Sequence, residues 1–198
     1  MRLPAVLMSL ALAACLASGG GSDTETLTGT VVGTDGRPAA GARVKLLPAG
    51  YDPSRPDTGA IRHARTGADG SFRFEGMEPG GAWNLIAGDS ARKAWALGRD
   101  LRPGSVPASL VLSAAKVYLI SLHGSAYAPA DSGIAYFPGT DILARCGGAS
   151  ASKVDSVPAE ASRIVIESRA GWKHDTTWSA PSDTARVAAD SAGIRFAP

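Results

Sequence analysis

The chain has 198 residues, of which 44% are hydrophobic and 19% are charged, and its formal net charge is +2. The weak net charge excludes the strongly basic surface typical of nucleic-acid-binding proteins, and the apolar content is too high for a disordered chain. Two cysteines exclude a disulfide-rich scaffold. The length allows one or two domains.

The first residues predict a secretory signal. A basic start, Met1-Arg2, precedes the apolar run Leu3–Leu12, which is too short to cross a bilayer because a spanning helix needs about 20 apolar residues. The exit Leu12-Ala13-Ala14-Cys15 resembles a bacterial lipobox, in which the cysteine is lipidated and cleavage before it makes it the new N-terminus. We therefore expect a lipoprotein signal peptide over residues 1–14 and lipidation at Cys15. The alternative is an ordinary signal peptide in which Cys15 has no role.

A lipidated Cys15 implies a location. Residues 15–26 are expected to form the lipidated cysteine and a flexible polar tether. Each buried methylene of an acyl chain contributes about 0.8 kcal/mol, so several chains hold a protein firmly on a membrane. Position 16 is Leu rather than Asp, which, by resemblance to bacterial lipoproteins, favours the outer membrane of the cell envelope. Only Cys146 would remain for other chemistry, which excludes an internal disulfide.

From Leu27 onward, short β-type runs alternate with turn residues. Ser71–Glu75 alternates polar and apolar residues, as a half-buried strand does. Asp35-Gly36 and Asp69-Gly70 predict hairpin turns. The predicted strands are Leu27–Val32, Ala42–Leu47, Ala60–Thr66, Ser71–Glu75, Trp83–Ala87 and Ala91–Leu97.

The aspartates at these two turns allow two interpretations. Asp35 and Asp69 are expected to accept hydrogen bonds from nearby backbone N–H groups, which is the common role of Asp in a turn. A calcium site is the alternative, but one carboxylate per turn is few for that ion.

Three motifs in order carry a family resemblance. Gly29–Leu46 resembles the opening of a carboxypeptidase regulatory-like domain. Thr66–Phe74 resembles that family's threonine, Asp-Gly turn and aromatic strand, and Glu78-Pro79-Gly80 with the strand Trp83–Ala87 resembles its next turn and strand. The resemblance covers residues 27–113 and implies a transthyretin-like sandwich of seven strands. It does not imply peptidase activity, because that family's catalytic domain is separate.

The second half repeats the first. Ser156–Ala159 and Arg163–Ile166 match Met77–Gly80 and Asn84–Ala87 at a constant offset of 79 positions. Residues 114–198 are therefore predicted to form a second, divergent sandwich. The predicted fold class is all-β, with two tandem transthyretin-like antiparallel β-sandwiches after the signal peptide. Repetition of one plan favours a modular structural protein over an enzyme.

The candidates for chemistry are few. His63, His123 and His174 lack a second ligand at metal-binding spacing. Cys146 is either an activated thiol or a buried structural cysteine, and the second interpretation is the simpler one. We expect no catalytic residue, no metal site and no cofactor.

These observations predict a non-catalytic, membrane-anchored envelope lipoprotein whose sandwiches act as a structural spacer or as protein-interaction or adhesion domains. The alternative is a carbohydrate-binding module with a starch-binding-like sandwich. Trp172 and Trp178 are its candidate residues, because their spacing of six places them on one face of a strand. The expected partners are the membrane, through the lipid anchor, and an envelope protein or polysaccharide. No nucleic acid is expected.

Overall fold

The computed structural model describes residues 24–105, 107–122, 132–147, 151–178 and 184–197, so the predicted signal peptide and Cys15 lie outside the described residues. These ranges are built of β-strands with one short 3₁₀ helix, Thr58–Ala60, and they contain no helix long and apolar enough to span a membrane. The strands of the first half are β1 (Glu25–Val32), β2 (Arg43–Pro48), β3 (Arg62–Arg65), β4 (Ser71–Met77), β5 (Trp83–Asp89), β6 (Ala94–Leu101), β7 (Ala108–Val111) and β8 (Ser113–Ala114). Those of the second half are β9 (Lys116–Leu122), β10 (Ser132–Tyr136), β11 (Leu143–Gly147), β12 (Ser152–Val157), β13 (Arg163–Ser168), β14 (Lys173–Thr177), β15 (Thr184–Asp190) and β16 (Gly193–Ala197).

The first half forms a sandwich of two sheets, with strand orders β4-β1-β7 and β3-β2-β5-β6-β8. Alternate side chains point between the sheets because successive residues of a strand face opposite sides. Phe72 and Phe74 of β4 and Val44 and Leu46 of β2 are buried there. The first and last strands of the seven, β1 and β7, pair in parallel. The three-stranded sheet is therefore mixed, because a crossing connection brings the two ends of the unit side by side, whereas every strand pair of the other sheet is antiparallel.

The second half repeats this strand order. Its sheets are β12-β9-β15-β16 and β11-β10-β13-β14, so β9 to β15 occupy the places of β1 to β7. The parallel pair of first and last strands also returns, as β9 with β15. The predicted fold class of two tandem sandwiches is confirmed. The domain limits of 27–113 and 114–198 stay a prediction.

Both sandwiches carry the same β-bulge. From Phe74 to Met77 the chain advances three residues while the paired β1 advances two, and Val154–Val157 does the same against β9. The left-handed conformation that each bulge requires falls on Gly76 in the first copy and on Ser156 in the second, both with φ of 64°. The bulge is therefore a feature of the fold that both sandwiches share, although the residues that form it differ.

The expected constant offset of 79 is wrong at the turn that follows the bulge. Gly81 N–H donates to Glu78 O in the first sandwich, and Ala161 N–H donates to Pro158 O in the second, so equivalent residues there are 80 apart. In the next strands, the residues that face the core of their own sandwich are 79 apart, namely Leu85 and Ala87 of β5 and Ile164 and Ile166 of β13. One residue is thus missing between the second turn and β13, and a gap-free comparison of the two sequences cannot reveal it.

The Asp-Gly turns form, but they do not join hairpin partners. Gly36 and Gly70 have φ of 73° and 76°, and the Oδ1 atoms of Asp35 and Asp69 accept hydrogen bonds from the N–H groups two residues later. Nevertheless β1 and β2 lie in opposite sheets, and so do β3 and β4. The hairpin prediction is wrong because the dipeptide specifies a tight turn, not the sheet to which the chain returns.

Strand β6 begins three residues later than predicted. Asp89 Oδ1 accepts a hydrogen bond from Ala91 N–H at 3.0 Å, and Lys93 has φ of 51°. The predicted strand Ala91–Leu97 therefore starts as a turn and becomes a strand only at Ala94. The other five predicted strands occur, with ends that differ by at most two residues.

Candidate functional site at the junction of the sandwiches

The sheet β3-β2-β5-β6 is covered on its inner face and on part of its outer face. Its inner face contributes residues such as Val44 and Leu46 to the core of the first sandwich. Its outer face contributes Leu47, Ile86 and Leu97 to a core that is shared with the second sandwich. Leu46 and Leu47 are neighbours in sequence, both have 0% exposure, and they lie in different cores. The two sandwiches are therefore joined through a continuous apolar interior.

Most of the shared core comes from the second sandwich. Burying one large aliphatic side chain contributes roughly 1.5–3 kcal/mol to the free energy of folding. The three residues that the first sandwich donates therefore stabilise the contact substantially. The second sandwich supplies Tyr118, Ile120, Leu122, Ala135, Phe137, Cys146, Val154, Val157, Ala161, Ile164, Ile166, Ala185, Val187 and Ala189.

The loop between β10 and β11 docks onto the first sandwich by polar contacts. The buried Asn84 side chain donates through Nδ2 to Gly139 O and accepts from Asp100 N–H through Oδ1, both at 3.2 Å. Arg99 donates to Pro138 O at 3.3 Å. Gly139 has φ of 81°, and a Cβ there would lie 2.8 Å from Asn84 Nδ2. The close approach of the two sandwiches therefore requires glycine at position 139.

A salt bridge lies at the rim of the junction. Lys45 Nζ of β2 is 2.6 Å from Asp141 Oδ2 in the β10–β11 loop, and the two side chains are 30% and 21% exposed. Both charges are partly shielded from water, which strengthens their interaction relative to a fully exposed pair.

The loop between β2 and β3, residues 49–61, also reaches the junction. Tyr51 and Ile61 pack against the shared core. Burial, and secondarily the charge of Asp141, raises the pKa of the Tyr51 phenol. The loop thus adds side chains from the first sandwich to the interface, and the phenol stays protonated at neutral pH.

Trp172 and Trp178 flank β14 and are half-buried on its inward face, so the prediction that they share one face is confirmed. The Trp178 ring stacks on Phe196, with a centroid distance of 4.1 Å and an interplanar angle of 16°. Its edge also contacts Tyr118, and the Trp172 ring lies 5.2 Å from the His174 ring. One face of Trp178 is therefore occupied by packing. A sugar-binding role for the pair stays a prediction.

The histidines and Cys146 occupy separate places. His63 is exposed on β3, His174 Nε2 lies 2.7 Å from Asp190 O and donates to it, and His123 lies outside the described residues. Cys146 is buried in β11, and burial raises the pKa of its thiol, which disfavours the reactive thiolate. Over the described ranges, no three or more His, Cys, Asp or Glu side chains gather as a metal site would require.

A polar cluster on the second sandwich has the features of an ion pair rather than of an acid–base site. Glu167 Oε1 accepts hydrogen bonds from Lys173 Nζ at 2.6 Å and from Tyr136 OH at 3.0 Å. The hydrogen bond from Lys173 lowers the pKa of Glu167, and the same contact raises the pKa of Lys173. Both shifts favour the charged forms, whereas general acid–base catalysis near pH 7 needs a pKa close to neutrality.

The junction was not predicted from the sequence, although one signal for it exists. β5 contains the run Leu85-Ile86-Ala87, without the alternation expected of a strand that has one face in water. All three residues are buried, Leu85 and Ala87 in the first core and Ile86 in the shared one. A continuous apolar run is typical of a strand covered on both faces.

Comparison with known families gives one match. Residues 26–108 match the carboxypeptidase regulatory-like domain. Curated proteins give no match.

Several solved structures are similar in outline at low identity. The streptococcal ancillary pilin is 10% identical over 84% of this chain and 62% of its own, with a TM-score of 0.33. The Bacillus anthracis TIE protein is 7% identical over 84% and 34%, with a TM-score of 0.31. The shaft pilin SpaA of Lactobacillus rhamnosus GG is 8% identical over 84% and 97%, also with a TM-score of 0.31. This chain thus spans less than two thirds of the first two proteins.

Proposed function

Because residues 26–108 match the carboxypeptidase regulatory-like domain, we propose that the chain is a non-catalytic lipoprotein of the bacterial cell envelope. Its two joined sandwiches act as a stiff structural spacer or interaction module. The observation that supports this proposal is the shared core, in which Leu47, Ile86 and Leu97 of the first sandwich pack among residues of the second. An interface of this kind restricts the bending that separate domains on a linker would undergo.

The stiffness is tested by the distance between spin labels on the two sandwiches. Arg73 on β4 and Arg186 on β15 are exposed, and each is replaced by cysteine in a Cys146→Ala background. We expect one narrow distance distribution by pulsed electron paramagnetic resonance. The further substitution Leu47→Asp places a charge in the shared core and is expected to broaden it. A broad distribution before that substitution would contradict the spacer function.

The anchor is tested at Cys15. We propose that cleavage before Cys15 and acylation of its side chain attach the protein to the outer membrane through the tether that precedes β1. Intact mass and membrane fractionation of the wild type are compared with Cys15→Ala and with Cys146→Ala as the matched control. Acyl mass and membrane attachment should disappear only in Cys15→Ala. A wild type without acyl mass would mean that the chain is freely secreted.

Carbohydrate binding by Trp172 and Trp178 is the alternative function. In support of it, both indoles lie on one face at the edge strand β14. Titration with soluble neutral glycans should quench tryptophan fluorescence, and Trp172→Ala should abolish the quenching. Absence of quenching across a broad glycan panel would exclude this role.

A further inference from the structure

One row of residues crosses the outer face of the first sandwich at the border of the part that the second sandwich covers, since its last member, Trp95, packs against the shared core. Arg65 of β3 lies opposite Arg43 of β2, Arg43 opposite Gly88 of β5, and Gly88 opposite Trp95 of β6. Directly opposed residues share one face of a sheet. The row therefore places two guanidinium groups and an indole along one line across four strands.

The indole lies over the glycine in this row. A Cβ at Gly88 would stand 2.1 Å from Cε3 and Cζ3 of Trp95, so the six-membered ring covers the Gly88 backbone and leans toward Arg43. Trp95 is half-buried, and its Nε1 has no hydrogen-bond partner among the described residues. Glycine at position 88 is what allows the ring to lie flat on the sheet.

The next row, on the side of the junction, adds another basic side chain. Lys45 lies opposite His63, so two rows place Arg43, Arg65, Lys45 and His63 in a square on two strands. Lys45 is paired with Asp141, whereas Arg43 and Arg65 form no ion pair in the described part of the chain. Both arginines are exposed. Like charges directly opposite each other destabilise a sheet, and an anion bound between them would reverse that effect.

A shallow groove of about 470 Å³ follows this square, and its lining comprises Arg43, Val44, Lys45, His63, Ala64 and Arg65. It is open to solvent and runs over paired backbone rather than into the core. A groove of this shape suits a chain lying along the surface rather than a small molecule enclosed in a cavity.

We propose that this face, defined by Arg43, Arg65, His63 and Trp95, binds an acidic polysaccharide through its carboxylates. Guanidinium groups present paired N–H donors that match the two oxygens of a carboxylate. The indole at the end of the row offers an apolar surface against which a sugar ring packs, and this favours a carboxylated glycan over an acidic peptide. The proposal goes beyond the spacer function and uses neither Trp172 nor Trp178.

Binding is tested with the full chain in detergent, titrated calorimetrically with polygalacturonate and with its methyl ester. The ester keeps the sugar backbone and removes the charge. We expect binding of the acid form only. Arg43→Gln or Arg65→Gln should weaken it about tenfold or more, as expected for loss of a hydrogen bond between charged groups. Arg186→Gln, which removes an exposed charge from the second sandwich, is the matched control and should bind like the wild type. Because both arginines are exposed and each substitution removes one of two opposed like charges, the variants should melt at or slightly above the wild-type temperature.

Four results would overturn the proposal. The first three are absence of binding to polygalacturonate, equal binding of the methyl ester, and unchanged affinity in the two arginine variants. The fourth is equal binding of polyglutamate that is lost in the same variants, which would show that the surface binds polyanions in general. Each of these results leaves the anchor and the spacer untouched, because neither Cys15 nor the shared core takes part in the titration.

Discussion

The two sandwiches follow one plan of strands but differ in how they complete their interiors. The first core consists of residues between Leu27 and Leu112, so the first sandwich closes without help from the second. The second core includes Leu47, Ile86 and Leu97, which are borrowed from the outer face of its neighbour. Two units with the same topology therefore need not each have a core that is complete without the other. The core of the second sandwich includes side chains of the first.

Producing the two halves as separate fragments should have the largest effect on stability. A fragment of residues 24–114 should melt cooperatively, whereas residues 115–198 should not, because the second lacks the three side chains donated by the first. A unit of about 80 residues without disulfides is only marginally stable even when its core is complete. Thermal melts followed by circular dichroism test this. A C-terminal fragment that melts cooperatively at the higher temperature would reverse the comparison.

Neighbouring leucines allow the two cores to be perturbed separately. Leu46→Ala and Leu47→Ala remove the same atoms from positions of 0% exposure, and each should lower the free energy of unfolding by about 2–5 kcal/mol. Native-state hydrogen exchange should show the loss of protection mainly in the first sandwich for Leu46→Ala. For Leu47→Ala the loss should extend through the second. Identical exchange patterns would mean that the two cores unfold as one unit.

The shared bulge provides a smaller, reciprocal test. Left-handed backbone costs a non-glycine residue roughly 1–2 kcal/mol, and glycine loses part of that advantage through its greater freedom when unfolded. Gly76→Ser should therefore destabilise the protein by about 1 kcal/mol, and Ser156→Gly should stabilise it by up to about 1 kcal/mol. Urea unfolding measures both. Effects of the same sign in the two variants would show that the bulges are not equivalent.

The rim salt bridge should give the smallest effect. Asp141→Asn removes the partner of Lys45 and should lower stability by less than about 1 kcal/mol, since both side chains retain some exposure to water. The loss should shrink in concentrated salt, which screens the pair in the wild type. Glu75→Gln, in the more exposed pair with Arg73, is the control and should change nothing measurable. A loss from Asp141→Asn that is independent of salt would indicate that the loop had moved.

Sequence patterns predicted much of the fold because they report local chemistry. The alternation in Ser71–Glu75 arises because one face of the strand is buried in the core. The turns at Asp35 and Asp69 form because the glycine that comes next can adopt a left-handed conformation. Neither pattern carries information on which sheet the chain enters after a turn. That choice depends on contacts between distant strands, and the hairpin prediction failed there.

The junction between the sandwiches could not be predicted from the sequence for a related reason. Leu47 and Ile86 look like ordinary core residues, and their sequence does not say which of two cores they enter. The row formed by Arg65, Arg43, Gly88 and Trp95 spans four strands, and its members come together only through strand register. Their spacing in the sequence therefore gives no indication that they are neighbours in the structure.

The parallel pairing of β1 with β7 has a mechanical consequence. A pull between the segment before Glu25 and the segment after Val111 draws these strands in opposite directions along their length, because parallel strands begin at the same end. The load then falls on all four register pairs, from Gly29↔Ala108 to Val32↔Val111, at the same time. The second sandwich, with β9 beside β15, spreads a load over six pairs. Each sandwich thus resists tension in shear, whereas a hairpin pulled from its open end would unzip one hydrogen bond after another.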